Sequence, residues 1–587
     1  MGPGSLRSAA EAGADQLRIG VFVCHCGTNI AGFLDVDAVA REAGASPGVV
    51  YSVTTMYACS ESGLKEISES IRKHNLNRVV IAACSPRTHE PLFREVCGEA
   101  GLNPYLVEMA NIRNQCSWVH MDDKERATKK AAALVRMAVA KAARLGPREP
   151  IEVDVDRRAV VIGGGIAGMN AALDLGDAGF DTVLIEREPD LGGRLRGLYR
   201  LYPSGREARE VLEEFIPRVI EHRHIEVLTA TELTGVRGFI GNYVLTVRTG
   251  GDERELEAGV IVVASGADVL EPHGLFGYDG ERVITQLELA RRMSQGSVEA
   301  GTIVMIQCVG ARLPEREYCS RVCCANAIKN ASMLVEEDSG RSVYVLYRDI
   351  QGYGTEFEDW FARAREAGVV FARYDPERPP LVDSRGVRIY DLLLGEEVLL
   401  PADLIVLSTP MVARPDARSL GQMLRVPVDK DGFFLEAHVK LRPVDFATEG
   451  MFLCGAARWP CRISEACAQA SAAASRALVP LVNGKVVVEP VVVDIDEAIC
   501  RGCGLCRDLC RYAAIEMVEN ERGLAVARVN QVLCKGCGVC AARCPSGAMT
   551  LFHFTDEQIR AMLRAARPAL LAGARHGDEG GSAGGVR

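Results

Sequence analysis

Eight of the chain's 21 cysteines fall in one short stretch, and their spacing repeats. Cys500-x2-Cys503-x2-Cys506-x3-Cys510 is followed 34 residues on by Cys534-x2-Cys537-x2-Cys540-x3-Cys544-Pro545. Three thiolates this close together wrap one face of an iron–sulfur cube, and the fourth ligand of each cube comes from the other repeat. The pattern assigns one [4Fe–4S] cluster to Cys500, Cys503, Cys506 and Cys544, and a second to Cys534, Cys537, Cys540 and Cys510. Zinc knuckles would want two pairs of ligands rather than three plus one. Arg511 stands where a proline is expected after the first repeat's last cysteine. Two such clusters make a path for single electrons, carried by a module at about 491–555.

That module is a small part of 587 residues, a length that allows several domains at roughly 100–200 residues each. The apolar fraction of 48% supplies ample core. No uninterrupted apolar run approaches the ~18–20 residues of a membrane helix, so no membrane partner is expected. A net charge of -10 without a Lys/Arg cluster argues against nucleic acid. The first 17 residues lack a signal-peptide pattern and read as a disordered leader, which places the chain in the cytoplasm. There, cysteines are more often metal ligands or redox groups than structural disulfides.

Residues 18–147 alternate strand-like runs (RIGVFVC, NRVVIAAC) with helical patterns and close on a long helix before Gly146-Pro147. They read as an N-terminal α/β domain. A second α/β region, 148–490, starts with RRAVVIGGGIAGMNAALDLGDAGFDTVLIE. Its loop Gly163-Gly164-Gly165-Ile166-Ala167-Gly168 lies between a strand and a helix, where glycines let the backbone approach a pyrophosphate held on the helix N-terminus. Glu186, with Arg187 beside it, ends the second strand and is placed for ribose hydroxyls. Gly192-Gly193 and Arg194 offer a second backbone approach, which favours FAD over NAD. Ser265 and Gly266, in VVASGA, and Gly455, in MFLCGAARW, resemble the later flavin contacts of two-dinucleotide flavoproteins, although the acidic residue usual after that last glycine is absent. The helix through 464–480 would direct its N-terminal turn at the isoalloxazine. No CxxC lies near the flavin, and no second GxGxxG is present, so a local dithiol relay and direct NAD(P)H binding are not expected. Chemistry would fall to the FAD rather than to a catalytic side chain.

Where the second dinucleotide loop would follow the strand TIVMIQC, there are cysteines instead. Cys308, Cys319, Cys323 and Cys324 fall within seventeen residues and are expected to hold a third [4Fe–4S] cluster, their pKa lowered by the start of the following helix. A competing assignment takes one or two of them together with N-terminal cysteines. Cys24, Cys26, Cys59 and Cys84 sit at strand ends or loops and read as interface ligands, a thiol relay or buried residues. Cys97 and Cys116 read as core; Cys454, Cys461 and Cys467 as packing beside the flavin; His25, His89 and His120 as structural. The residues from 556 on read as a helix followed by a disordered tail.

Several stretches together resemble one family: VFVCHCGTNI, CSPRTHEPLFREV, NIRNQCSWVH, VIGGGIAGMNAALDL, QCVGAR with YCSRVCC, DGFFLEAHVKLRPVD, and CKGCGVCAARCPSGAM. They are similar to the A subunit of heterodisulfide reductase over about 18–560. The resemblance implies an α/β multidomain chain: an N-terminal α/β domain, a thioredoxin-reductase-like FAD fold and a bacterial-type two-cluster ferredoxin domain. It implies electron transfer between a donor oxidoreductase, ferredoxin and a disulfide or other acceptor on partner subunits, and it allows flavin-based electron bifurcation. Implied partners are B- and C-like subunits, a hydrogenase or other electron-input subunit, and ferredoxin, with a homodimer inside the larger complex. The ferredoxin domain inserted in the methanogen form is missing within 238–266, as is a cysteine motif near 202. The alternative reading is a stand-alone NAD(P)H-dependent flavin/iron–sulfur oxidoreductase, as in glutamate synthase small subunits. A scaffold that only relays electrons is a third.

Overall fold

The computed structural model describes residues 16–574. The chain divides into two compact units: the residues up to Ile151 together with those from Val488 on, and Glu152–Val487. The expected leader lies almost wholly outside the described residues, as does the end of the tail.

In the first unit, β1 (Ile19–Cys24), β2 (Val49–Thr55), β3 (Arg78–Ala83) and β4 (Val107–Asn111) form a parallel sheet in the order β2-β1-β3-β4. IGVFVC is buried at every position, as a strand covered on both faces must be. The helices α1 (Val36–Gly44), α2 (Glu61–Lys73), α3 (Pro86–Glu99) and α4 (Lys124–Ala142) connect and flank it. Asp35, Ser60 and Asp123 cap α1, α2 and α4, each accepting a backbone N–H from the first turn.

The second unit carries two five-stranded parallel sheets. In one, β5 (Ala159–Ile162), β6 (Thr182–Ile185), β7 (Ile225–Leu228), β8 (Val260–Val263) and a last strand, Met451–Leu453, run in the order Met451–Leu453, β8, β5, β6, β7. The helix α5 (Ile166–Asp177) follows β5 directly. The other sheet holds β9 (Val283–Thr285), β10 (Thr302–Ile306), β11 (Ser342–Tyr347), β12 (Val370–Arg373) and β13 (Leu404–Leu407), in the order β9-β13-β10-β11-β12. After β10 the chain makes a long loop before α6 (Cys323–Glu337). Past Met451–Leu453, named β14 here, comes α7 (Ile463–Asn483), packed along α5. Two sheets, each strand feeding a helix or loop at its C-terminal end, are the two-dinucleotide arrangement expected from the sequence.

The cysteine repeat folds in the first unit. β15 (Val493–Ile495) pairs with β18 (Met549–Leu551), and β16 (Ile515–Glu519) with β17 (Ala525–Val529), all antiparallel. The short helices α8 (Leu505–Leu509) and α9 (Val539–Arg543) occupy matching places in the two repeats. A last helix, α10 (Asp556–Ala574), packs against α4. Among the described residues no helix is long and apolar enough to cross a membrane.

Candidate functional site

A cavity of about 1010 Å³ opens in the second unit at the C-terminal ends of β5, β6 and β8. At one end its wall is the loop after β5. Gly163 has φ +110°, and a Cβ there would lie 2.4 Å from the Ala264 carbonyl oxygen, so only glycine fits. Gly165 is different: a Cβ there would meet nothing within 4 Å, leaving an open cradle at the start of α5. That is the place a helix N-terminus offers to a pyrophosphate. Gly168 faces away from the cavity and lets α5 close on the loop, since a Cβ would sit 1.8 Å from the Gly163 oxygen. The Glu186 carboxylate accepts the Gly164 N–H at 2.6 Å and the Glu188 N–H at 2.8 Å, so one residue ties the glycine loop to the chain just after β6.

Of the other residues expected from the sequence, Ile166, Ala167, Arg187, Gly193, Arg194, Ser265 and Gly266 also line the cavity. Gly192 and Gly455 do not; they support it from behind. Gly192 N–H donates to the Gly164 carbonyl at 2.8 Å. A Cβ on Gly455 would lie 2.8 Å from that of Ala167. Arg194 donates to the Ala267 carbonyl at 3.1 Å and to Asp268 at 2.5 Å, which turns its guanidinium along the wall. Glycines at the close approaches, an open cradle and a carboxylate at the second strand's end fit an FAD.

The opposite end is built from residues the glycine pattern does not reveal. Tyr202, Val322, Cys323, Asn326, Cys461 and Arg462 line it. Arg462, the N-cap of α7, lies with its guanidinium carbon 3.5 Å from the Tyr353 ring centroid and 4.7 Å from that of Tyr202. The first turn of α7 also holds Glu465, which accepts the Arg462 backbone N–H at 3.0 Å, the Tyr353 hydroxyl at 2.6 Å and an Arg321 N–H at 2.9 Å. Burial alone would raise this carboxyl, but these donors and the Arg321 charge hold it below its ordinary value.

Cys323 belongs to both this cavity and the cysteine loop. The loop brings Cys308, Cys319, Cys323 and Cys324 close enough to interact electrostatically. It concentrates left-handed backbone at side-chain-bearing residues: Cys308 φ 63°, Arg312 φ 58° and Arg321 φ 63°. Conformations this sparsely populated persist where surrounding structure dictates them. Burial pushes Cys323 up to about 12 and Cys324 up to about 11, and raises Cys308 as well. At these three cysteines the expected lowering by the start of α6 is thus outweighed by desolvation. Cations surround the set: Arg312 interacts with Cys308, and Arg348 donates to the Arg312 carbonyl at 3.0 Å. Beside them the Gln307 amide is buried with neither its nitrogen nor its oxygen hydrogen-bonded.

In the first unit, Cys24, Cys26, Cys59 and Cys84 gather at the C-terminal edge of the sheet and interact with one another. Arg113 donates to the Cys26 sulfur at 3.6 Å. Burial raises Cys24 and Cys84, with Arg113 opposing it at Cys84. Cys97 and Cys116 are fully buried among core side chains. Cys454 is fully buried behind the flavin wall, Cys461 lines the cavity, and Cys467 packs against the same core. His120 lies 3.1 Å from Lys130, and His89 stands edge-on to Phe93.

The repeat cysteines cluster around one small core, where Cys500, Cys506, Cys510, Cys534, Cys540 and Cys544 pack with Val493, Ile515 and Met549. Burial pushes Cys540 up to about 11 and raises Cys506. At Cys544 burial acts the same way, but hydrogen bonds from Ser546 and nearby backbone N–H groups outweigh it and lower the thiol. Among the described residues no three His, Cys, Asp or Glu side chains converge on a point that would hold a single metal ion. A [4Fe–4S] cube takes its sulfurs at separate corners, which is a wider arrangement.

Residues 157–311 match the pyridine nucleotide-disulphide oxidoreductase family, and residues 499–548 match the 4Fe-4S dicluster domain. The glycine loop falls in the first match and all eight repeat cysteines in the second. The chain is 40% identical to the second iron-sulfur A subunit of CoB–CoM heterodisulfide reductase in Methanopyrus kandleri, over 86% of this chain and 92% of that one. It is 38% identical to the iron-sulfur A subunit of CoB–CoM heterodisulfide reductase in Methanocaldococcus jannaschii, over 92% of this chain and 97% of that one. The protein belongs to the family of heterodisulfide reductase A subunits. Among solved structures, the thioredoxin reductase of Lactococcus lactis is 19% identical and covers 56% of this chain and 99% of its own, with a TM-score of 0.40. As a member of the A-subunit family the chain is an oxidoreductase, a flavoprotein with [4Fe–4S] centres and an electron-transfer role.

Proposed function

We propose that this chain is the flavin-bearing subunit of a heterodisulfide-reductase-like complex, in which electrons pass between the FAD site and a third [4Fe–4S] cluster held by Cys308, Cys319, Cys323 and Cys324. The observation that carries this reading is the position of Cys323, which lies on the wall of the flavin cavity and within the thiol set. An FAD, when bound, exchanges electrons as a pair on one side and singly on the other. The chain's residues supply the rest. The Gly163–Gly168 loop and Glu186 hold the dinucleotide end, Arg194 lies along the wall, and the first turn of α7 fixes the far end through Glu465. The eight repeat cysteines hold two further clusters in the ligand sets that their spacing implies, making three in all.

Partners follow from the family. Relatives include the A subunit of a protein named H(2):CoB-CoM heterodisulfide,ferredoxin reductase, in Methanothermobacter thermautotrophicus. By that kinship the partners we assign are B- and C-like subunits, an electron-input subunit such as a hydrogenase, and ferredoxin. The same kinship supports a homodimer within the larger complex, in the cytoplasm, with splitting of electron pairs between acceptors as the fullest activity. The alignment with the M. jannaschii relative runs over 645 residues while covering 92% of this 587-residue chain, which supports reading it as a shorter form. A direct antiparallel course from 231 to 258, without an inserted domain, supports it as well.

Anaerobic purification followed by iron and flavin counting tests the reading. Three clusters give about twelve iron atoms per flavin, and about eight removes the third cluster. A count near sixteen would add a cluster on Cys24, Cys26, Cys59 and Cys84.

A further inference from the structure

Three polar atoms at the far end of the flavin cavity are buried and make no hydrogen bond: Arg462 Nε, Arg462 Nη2 and Tyr202 Oη. Arg462 and Tyr202 both line the cavity, and the guanidinium lies over the phenol ring. Two donors of a cation and one hydroxyl left unpaired in a desolvated wall are costly unless a ligand meets them. Everything else about Arg462 is fixed. Its Nη1 donates to the Tyr353 carbonyl at 3.0 Å, its backbone N–H donates to Glu465, and its guanidinium carbon lies over the Tyr353 ring, 3.5 Å from the centroid. The side chain is therefore held with Nε and Nη2 uncommitted. Trp360 packs against Tyr202, with the ring centroids 6.1 Å apart.

The dinucleotide loop and Glu186 claim the opposite end of the cavity, which leaves this end for the ring system of the flavin. That ring presents acceptors along its pyrimidine edge and becomes anionic there on reduction. We propose that Arg462 and Tyr202 form a cation–phenol clamp for the isoalloxazine head, with Arg462 stabilising the anionic reduced form and raising the flavin's potential. This rests on the FAD reading above. Arg462 acts as a cofactor-positioning residue, and Tyr202 is its partner.

The test uses the full chain purified anaerobically with its flavin, as wild type, Arg462→Gln, Arg462→Lys and Tyr202→Phe. Potentiometric titration of the flavin absorbance, and a pH titration of the reduced flavin's spectrum, are the readouts. Arg462→Gln is expected to shift the potential negative and to raise the pH at which the reduced flavin becomes anionic by about one unit, the tenfold effect of one lost charged hydrogen bond. Arg462→Lys should restore most of that shift, and Tyr202→Phe should show a smaller change in the same direction. An unchanged potential and unchanged pH in flavin-loaded Arg462→Gln overturns the clamp, because a merely structural role would lower only thermal stability. If Arg462→Gln loses its flavin, Arg462→Lys and Tyr202→Phe decide: wild-type values in both overturn the clamp, and shifted values support it. Wild-type protein without flavin instead overturns the function proposed above, so the two failures are distinct.

Discussion

Arg321 donates to Glu465 at 2.9 Å, tying the cysteine loop to the first turn of the helix that faces the flavin cavity. The same carboxylate holds Tyr353 and the Arg462 backbone, so loop and cavity wall share one anionic anchor. Replacing Glu465 by Gln leaves the Arg321 cation without its partner. The expected loss is about 1–3 kcal/mol, together with a lower iron content; denaturant unfolding and iron assay check it. Because the folded-state pKa of Glu465 is below its ordinary 4.5, its contribution is fully present above that value and is lost as pH falls through the folded pKa. Acid titration of wild type against Glu465→Gln reads this difference below about pH 4.5.

Lys329 on α6 is a buried ammonium whose Nζ donates to the Arg200 carbonyl at 2.5 Å. Burial pulls its pKa down from 10.5 to about 8. The unfolded chain then binds more protons between about pH 8 and 10.5, so stability should rise with pH across that window, by about 3 kcal/mol at most. Lys329→Met should remove this rise. Melting temperatures of the two proteins from pH 7.5 to 10.5 give the answer; parallel curves would contradict it.

The glycine loop gives a pair of opposed expectations. Gly163→Ala meets the Ala264 backbone in a left-handed conformation and should unfold the domain or cost more than about 1 kcal/mol. Gly165→Ala adds a methyl to open space at ordinary φ, so flavin-free stability should stay within about 0.5 kcal/mol while FAD binding weakens. Calorimetry of the flavin-free variants and FAD titration separate the two effects.

Arg312 donates to Asp349 at 2.8 Å and interacts with Cys308. A cation beside a cluster favours its more negative reduced form. Arg312→Gln should therefore move the potential of one cluster, and only one, to more negative values in an anaerobic titration followed by electron paramagnetic resonance.

The parts of this chain that were legible in its sequence are those fixed by short-range chemistry. The cysteine repeat, the Gly163–Gly168 turn and the all-buried strands each carry their meaning within a few residues. Arg462, Tyr202, Tyr353 and Glu465 meet only in the folded chain. Arg462 reads as an ordinary helix-flanking arginine, and its partners are 112 residues apart in the case of Tyr353 and Glu465. At Cys308, Cys323 and Cys324 the thiols are raised rather than lowered because burial is a tertiary quantity: the start of α6 is visible in the sequence, whereas the desolvation that outweighs it is not. The departure from NAD-binding sequence at 307–324 was legible as a missing glycine loop, but its strained backbone and its contact with the flavin cavity were not.

In the proposed function, the loop after β10 holds a cluster next to the flavin. Iron and flavin counting on anaerobically purified wild type and the Cys319→Ala/Cys323→Ala double variant tests it most directly. The expected result is a loss of about four iron atoms per flavin with the flavin retained. Equal iron content in the two proteins would contradict it.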